Sequence, residues 1–152
     1  MIPHCKPTCA PNCMCMRRMA RGTLSPKLYA DLIGKPYAEG ARGPEAFDCL
    51  GLVLELQRRQ GRPLPAYDST PEEFARQHRE GVLGPCREIA APEPGCIVLL
   101  RMLHGERHLG TMIDPYRMLH TLRDVGRACS EGLRSPVWAR RVMGYYLPEA
   151  VR

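Results

Sequence analysis

The chain changes its hydrophobic period once, and that change sets what it can fold into. From about Ala46 to Gln60 the apolar residues Phe47, Leu50, Val53 and Leu54 recur at helical spacing with Gln57 on the same face, and Gly61 is placed to end the helix. From Cys96 onward the pattern is that of strands. Cys96–Met102, Arg107–Ile113, Arg117–Leu122 and Val142–Leu147 are rich in apolar and β-branched residues, with breaks at Gly105 and Asp114-Pro115. Helices first and an antiparallel sheet afterwards is the order of an α+β domain. Upstream, Ser25-Pro26 offers a cap and a first-turn proline for a helix through Leu28, Leu32 and Ile33, closed by Gly34 and Pro36. Thr70-Pro71-Glu72-Glu73 is a capping box for a short third helix ending at Gly81.

A chain of 152 residues can bury one modest core. Residues 23–152 are therefore expected to form one domain, and residues 1–22, which show neither period, a cysteine-rich extension. No stretch is long enough to span a bilayer, because Arg101 cuts the best apolar run. The first residues hold prolines and charges where a signal peptide would have its apolar core, so export by the general pathway is not expected. The net charge of +6 comes from arginines scattered among acidic residues, and the chain has only two Phe, six Tyr and one Trp. A basic stripe interleaved with aromatics is missing, which argues against a nucleic-acid partner.

Chemistry concentrates at Phe47-Asp48-Cys49-Leu50-Gly51-Leu52. A cysteine in the first turn of a helix meets free backbone N–H groups and the positive end of the helix dipole, which favour a thiolate nucleophile. Gly51 would leave room beside the sulfur, and the Cys49 amide would help hold an oxyanion. Taken alone, such a cysteine is more often a small buried hydrophobe. What raises its standing is a pair of histidines in neighbouring expected strands, His108 and His120, twelve residues apart with Asp114-Pro115 midway. A hairpin lays such a pair side by side, with His108 as the base and His120 fixing its tautomer.

These residues resemble the NlpC/P60 cell-wall cysteine peptidases, and within them the type found in bacteriophage tail tips. The resemblance runs through Leu32-Ile33-Gly34-Lys35-Pro36-Tyr37, Gly40-Ala41-Arg42-Gly43-Pro44, Ala46 to Leu52, Pro94-Gly95-Cys96-Ile97-Val98-Leu99, His108-Leu109-Gly110 and Leu119-His120. Tyr37 precedes Cys49 by the interval expected of family members, and several motifs in one order are more specific than any alone. The resemblance implies a papain-like fold with N-terminal helices packed on an antiparallel sheet. It implies hydrolysis of peptidoglycan stem peptides, typically at the D-γ-glutamyl bond to diaminopimelate, with no cofactor. Cys49 would be nucleophile, His108 general base and His120 the orienting residue, with Tyr37 and Asp48 near the oxyanion and the substrate's amino group. Ser135-Pro136-Val137-Trp138 and Gly144-Tyr145-Tyr146 look like the ending of tail-tip members. That implies a virion component of the tail tip or baseplate, made in the bacterial cytoplasm, whose partners are peptidoglycan and other hub proteins. A host wall-remodelling enzyme would want the export signal that is not expected here. Three positions depart from the family pattern: Leu50 stands where Ser or Trp is usual, Ala41 replaces a glycine, and Cys96 replaces an aspartate.

Cys5, Cys9, Cys13 and Cys15 place four thiols in eleven residues, a set suited to an iron–sulfur cluster or zinc, with His4 as a further donor. The alternatives are an unstructured tail and a docking segment. A structural hub protein holding such a metal, with little or no peptidase activity, is the competing reading of the whole chain. Cys86, Cys96 and Cys129 sit in or beside apolar stretches and read as structural. His104 is a weak loop candidate, and His78 reads as solvent-exposed.

Overall fold

In the computed structural model, residues 22–64, 71, 72, 76 and 86–148 are described. The helical period resolves into one α-helix, α1, Cys49–Arg59. It starts two or three residues later than the apolar pattern suggests because Asp48 is its N-cap and Phe47 stays extended, bridging to Tyr37 and Arg42. Leu50, Leu52, Val53 and Leu56 are all fully buried. At about 1.5–3 kcal/mol for each side chain removed from water, these four positions alone make the helix a fixed part of the core.

The strand pattern resolves into six strands: β1 Cys86–Ile89, β2 Ile97–Arg101, β3 Arg107–Met112, β4 Arg117–Thr121, β5 Ala128–Gly132 and β6 Val142–Pro148. They form one antiparallel sheet in the order β1-β6-β2-β3-β4-β5. The four expected strands are present, and β1 and β5 are additions at the two edges. α1 packs across β3 and β4. Ile97, Leu99, Leu109 and Leu119 face the helix layer, while Val98, Leu100, Met112 and Met118 form a second apolar layer with Trp138 on the other side. Burial on both faces explains why β2 reads as an unbroken apolar run.

The expected helix from Ser25 to Ile33 is two 3-10 turns instead, Pro26–Leu28 and Ala30–Leu32. Ser25 makes no side-chain capping bond. So short a segment is a poor α-helix in isolation, and here Leu24 and Leu32 are both drawn into the same core cluster. The Leu24 N–H also donates to Ile113 O across the sheet end, at 2.7 Å. Most of the expected helix from Thr70 to Gly81, including His78, lies outside the described residues, as do Cys5, Cys9, Cys13, Cys15 and His4. No helix among the described residues is long and apolar enough to cross a membrane.

Candidate active site

Cys49 is the first residue of α1, and the residues around it hold a loop against the helix start. Asp48 Oδ1 accepts from the Gly51 N–H at 2.7 Å and from Arg42 Nη1 at 2.6 Å, and Oδ2 accepts from the Gly40 N–H at 3.1 Å. Three of the carboxylate's roughly four lone-pair sites are thus committed. Asp48, expected beside a substrate's amino group, is first a strut between the loop at 40–42 and the helix. Gly51 also differs from its expected part. A Cβ there would lie 2.2 Å from the Ala41 carbonyl oxygen, so the glycine makes room for the loop backbone rather than for the sulfur. Leu50 is wholly buried in the core, so its departure from the family pattern alters packing and leaves the cavity wall unchanged.

Three adjacent strands deliver a chain of titratable groups. His108, near the start of β3, places Nε2 2.9 Å from Nδ1 of His120 on β4. His120 Nε2 in turn lies 2.5 Å from Glu131 Oε2 on β5. The carboxylate can only accept, so His120 carries its proton on Nε2 and its Nδ1 accepts from the Nε2–H of His108. That leaves the lone pair of His108 on Nδ1. Both rings are buried, and Trp138 covers them, stacked on His108 at 6.0 Å between centroids and edge-on to His120 at 5.2 Å. Thr111 and Leu119 are cross-strand partners in the β3–β4 hairpin, and Asp114 Oδ1 closes its turn by accepting from the Tyr116 and Arg117 N–H groups.

An open cavity of about 760 Å³ is lined by Tyr37, Asp48, Cys49 and His108, with Arg42 and Arg123 among its charged walls. The exposed loop residue His104 lines it too. Burial pushes the Cys49 thiol up to about 12, although the backbone N–H groups of Leu109 and Leu50 favour the thiolate. Desolvation, with the neighbouring His120, takes His108 down to about 3. At Cys49 burial thus opposes the helix terminus, and desolvation biases both the thiol and the imidazole toward their neutral forms. A consequence for stability follows from Cys49. Its thiol is held above its ordinary value of 9.0, so its contribution is complete below pH 9 and is lost as pH rises toward about 12. Thermal melts between pH 9 and 11 are expected to fall more gently for Cys49→Ser than for the wild type. Equal slopes would show that the thiol is not shielded.

Residues 34–146 match the sequence profile of the NlpC/P60 family. The chain belongs to that family. NlpC/P60 is a family of peptidoglycan hydrolases and endopeptidases. The probable endopeptidase p60 of Listeria grayi is 26% identical over 121 residues, covering 78% of this chain and 22% of the relative. A Staphylococcus aureus NLP/P60 protein described as similar to a lipoprotein superposes with a TM-score of 0.62 at 17% identity, over 82% of this chain and 40% of its own. The NlpC/p60 domain of the peptidoglycan hydrolase SagA superposes with a TM-score of 0.55 at 17% identity, over 81% of this chain and 94% of that domain. The NlpC/P60 fold is thus the papain-like α+β fold expected from the sequence, while the chain spans about a fifth of the Listeria endopeptidase.

Within this NlpC/P60 domain, Tyr37, Asp48, Cys49 and His108 are gathered at one cavity, and His120 stands behind His108. Glu131 and the shielding role of Trp138 are additions that sequence reasoning misses. Cys129, read as structural, places Sγ 3.8 Å from His120 Nε2. His120, Cys129 and Glu131 also form, among the described residues, a group able to hold a metal ion, with donor atoms within 4.8 Å of one another.

Proposed function

We propose that the domain is a cysteine endopeptidase that cuts peptidoglycan stem peptides, at the D-γ-glutamyl bond to diaminopimelate. The supporting observation is the meeting of Cys49 and His108 at one cavity, with His108 backed by a His120–Glu131 pair that sets its tautomer. From a neutral resting pair, His108 Nδ1 takes the Cys49 proton as the sulfur attacks the carbonyl carbon. The Cys49 N–H faces the developing oxyanion. The imidazolium formed is offset by the Glu131 carboxylate through His120, and it returns its proton to the leaving amine. A thioester remains on Cys49. Water then attacks it with His108 again as base, freeing the acid and restoring the thiol. Tyr37 lines the same cavity, where it would lie near the oxyanion and the substrate.

Mass spectrometry of muropeptides after digestion of purified peptidoglycan is the test. New fragments ending in γ-linked glutamate are expected, and fragments cut elsewhere would reassign the bond. An unchanged wall would overturn the reading. Glu131 is a positioning residue in this scheme. Glu131→Ala is expected to lower kcat by about tenfold or more with little change in KM, while Glu131→Gln, which keeps an acceptor oxygen, recovers much of the rate. Equal loss in both variants would mean that tautomer control is not its part.

We also propose a phage or phage-like tail tip as the setting, supported by the resemblance of residues 135–138 and 144–146 to tail-tip members. The four thiols within residues 5–15 favour a second reading, a hub component that holds an iron–sulfur cluster or zinc there. The two separate in assembly: under the second, deleting residues 1–22 blocks particle formation, while Cys49→Ala leaves it intact.

A further inference from the structure

β4 and β5 bring the His120–Glu131 pair together with Cys129, a thiol that the proposed hydrolysis does not use. His120 and Cys129 are direct cross-strand partners, and Glu131 follows Cys129 on the same face. An imidazole nitrogen, a thiol and a carboxylate make the three-ligand set that zinc accepts with its fourth position open. Zinc bonds of about 2.0–2.3 Å place such donors about 3.5 Å apart. The 3.8 Å from Cys129 Sγ to His120 Nε2 already has that spacing. Glu131 Oε2, at 2.5 Å from the same nitrogen on a side chain 40% exposed, has only to open by about 1 Å. The His120 ring is held through its other nitrogen by His108, as metal-bound histidines are usually held by a partner on the second ring nitrogen.

We propose that His120, Cys129 and Glu131 bind a zinc-class divalent ion that switches the His108 base off. Binding stands on the ligands alone, whereas the switch rests on the peptidase reading above. The ion takes the lone pair of His120 Nε2 and displaces the proton there. That proton reappears on Nδ1, which now donates to His108 Nε2, and the proton formerly on Nε2 of His108 moves to its Nδ1. Each ring keeps one proton, and the Cys129 thiol proton leaves to solvent. His108 then presents an N–H to Cys49 instead of a lone pair and cannot accept its proton.

The test uses the full-length chain with Cys5, Cys9, Cys13 and Cys15 changed to serine, which removes the competing thiols. Anaerobic titration with cobalt(II) is expected to give a thiolate-to-cobalt charge-transfer band at one equivalent. The band should persist in an added Cys49→Ala change and be lost, or need about tenfold or more cobalt, in an added Cys129→Ser change. No band, or a band indifferent to Cys129, overturns the site. The switch is read without any substrate, as the rate at which iodoacetamide alkylates Cys49. Zinc is expected to slow that rate about tenfold or more in the chain that keeps Cys129, and to leave it unchanged in the Cys129→Ser variant. Zinc binding with no such slowing overturns the switch and leaves the peptidase reading to its own test.

Discussion

Replacing Cys49 with alanine is expected to reduce hydrolysis of purified muropeptides by about 10⁴-fold or more, with the fold intact. The thiol forms the only covalent bond between enzyme and substrate in the proposed cycle, and without it the cavity retains binding and oxyanion contacts that act on no nucleophile. Alanine suits the first turn of a helix, and the capping bond from Gly51 to Asp48 does not involve the Cys49 side chain, so the melting temperature should stay close to wild type. Initial rates of amine release, measured beside circular-dichroism melts, decide the matter. Retention of more than about a tenth of the wild-type rate would place the nucleophile elsewhere. Cys49→Ser is the sharper companion, since a hydroxyl is far less acidic than a thiol and the buried neutral His108 is a weak base for it.

Gly51→Ala is expected to destabilise the domain by about 3 kcal/mol, which in a domain of this size lowers the melting temperature by about 10 °C. The usual expectation is the reverse, because glycine inside a helix costs about 1 kcal/mol relative to alanine. Position 51 inverts the sign through one contact: the new Cβ would sit 2.2 Å from the Ala41 carbonyl oxygen. That atom belongs to the backbone and is held by the Asp48 N–H at 3.0 Å, so it cannot step aside without releasing the loop. Differential scanning calorimetry checks the prediction. A variant as stable as the wild type would show that the loop is not pressed onto α1, and the account of Asp48 as a strut would fall with it.

The elements that sequence reasoning locates are those with long, one-sided or unbroken apolar patterns. α1 and strands β2, β3, β4 and β6 have them, and the histidine pair is legible because Asp114-Pro115 announces the turn between its two strands. Ala128–Gly132 has no such signature: Ala-Cys-Ser-Glu-Gly is short, half-exposed and poor in β-formers, and it becomes a strand only by pairing with β4. Glu131 is therefore invisible in the sequence as a partner for His120. The same holds at the other edge for Cys86–Ile89, paired only with β6. Asp48 has a second part that the resemblance does not announce: it lines the cavity and, from its position before the helix, also caps α1. At Cys49 the helix position is legible in the sequence, while the burial that opposes its effect on the thiol is not.

Trp138 is the chain's only tryptophan, and its indole lies against both histidine rings. The molecule thus carries a single indole fluorophore, already positioned at its base. Light emitted on excitation selective for tryptophan comes from one known place, so a change in charge or coordination at the pair can be followed in real time without a label.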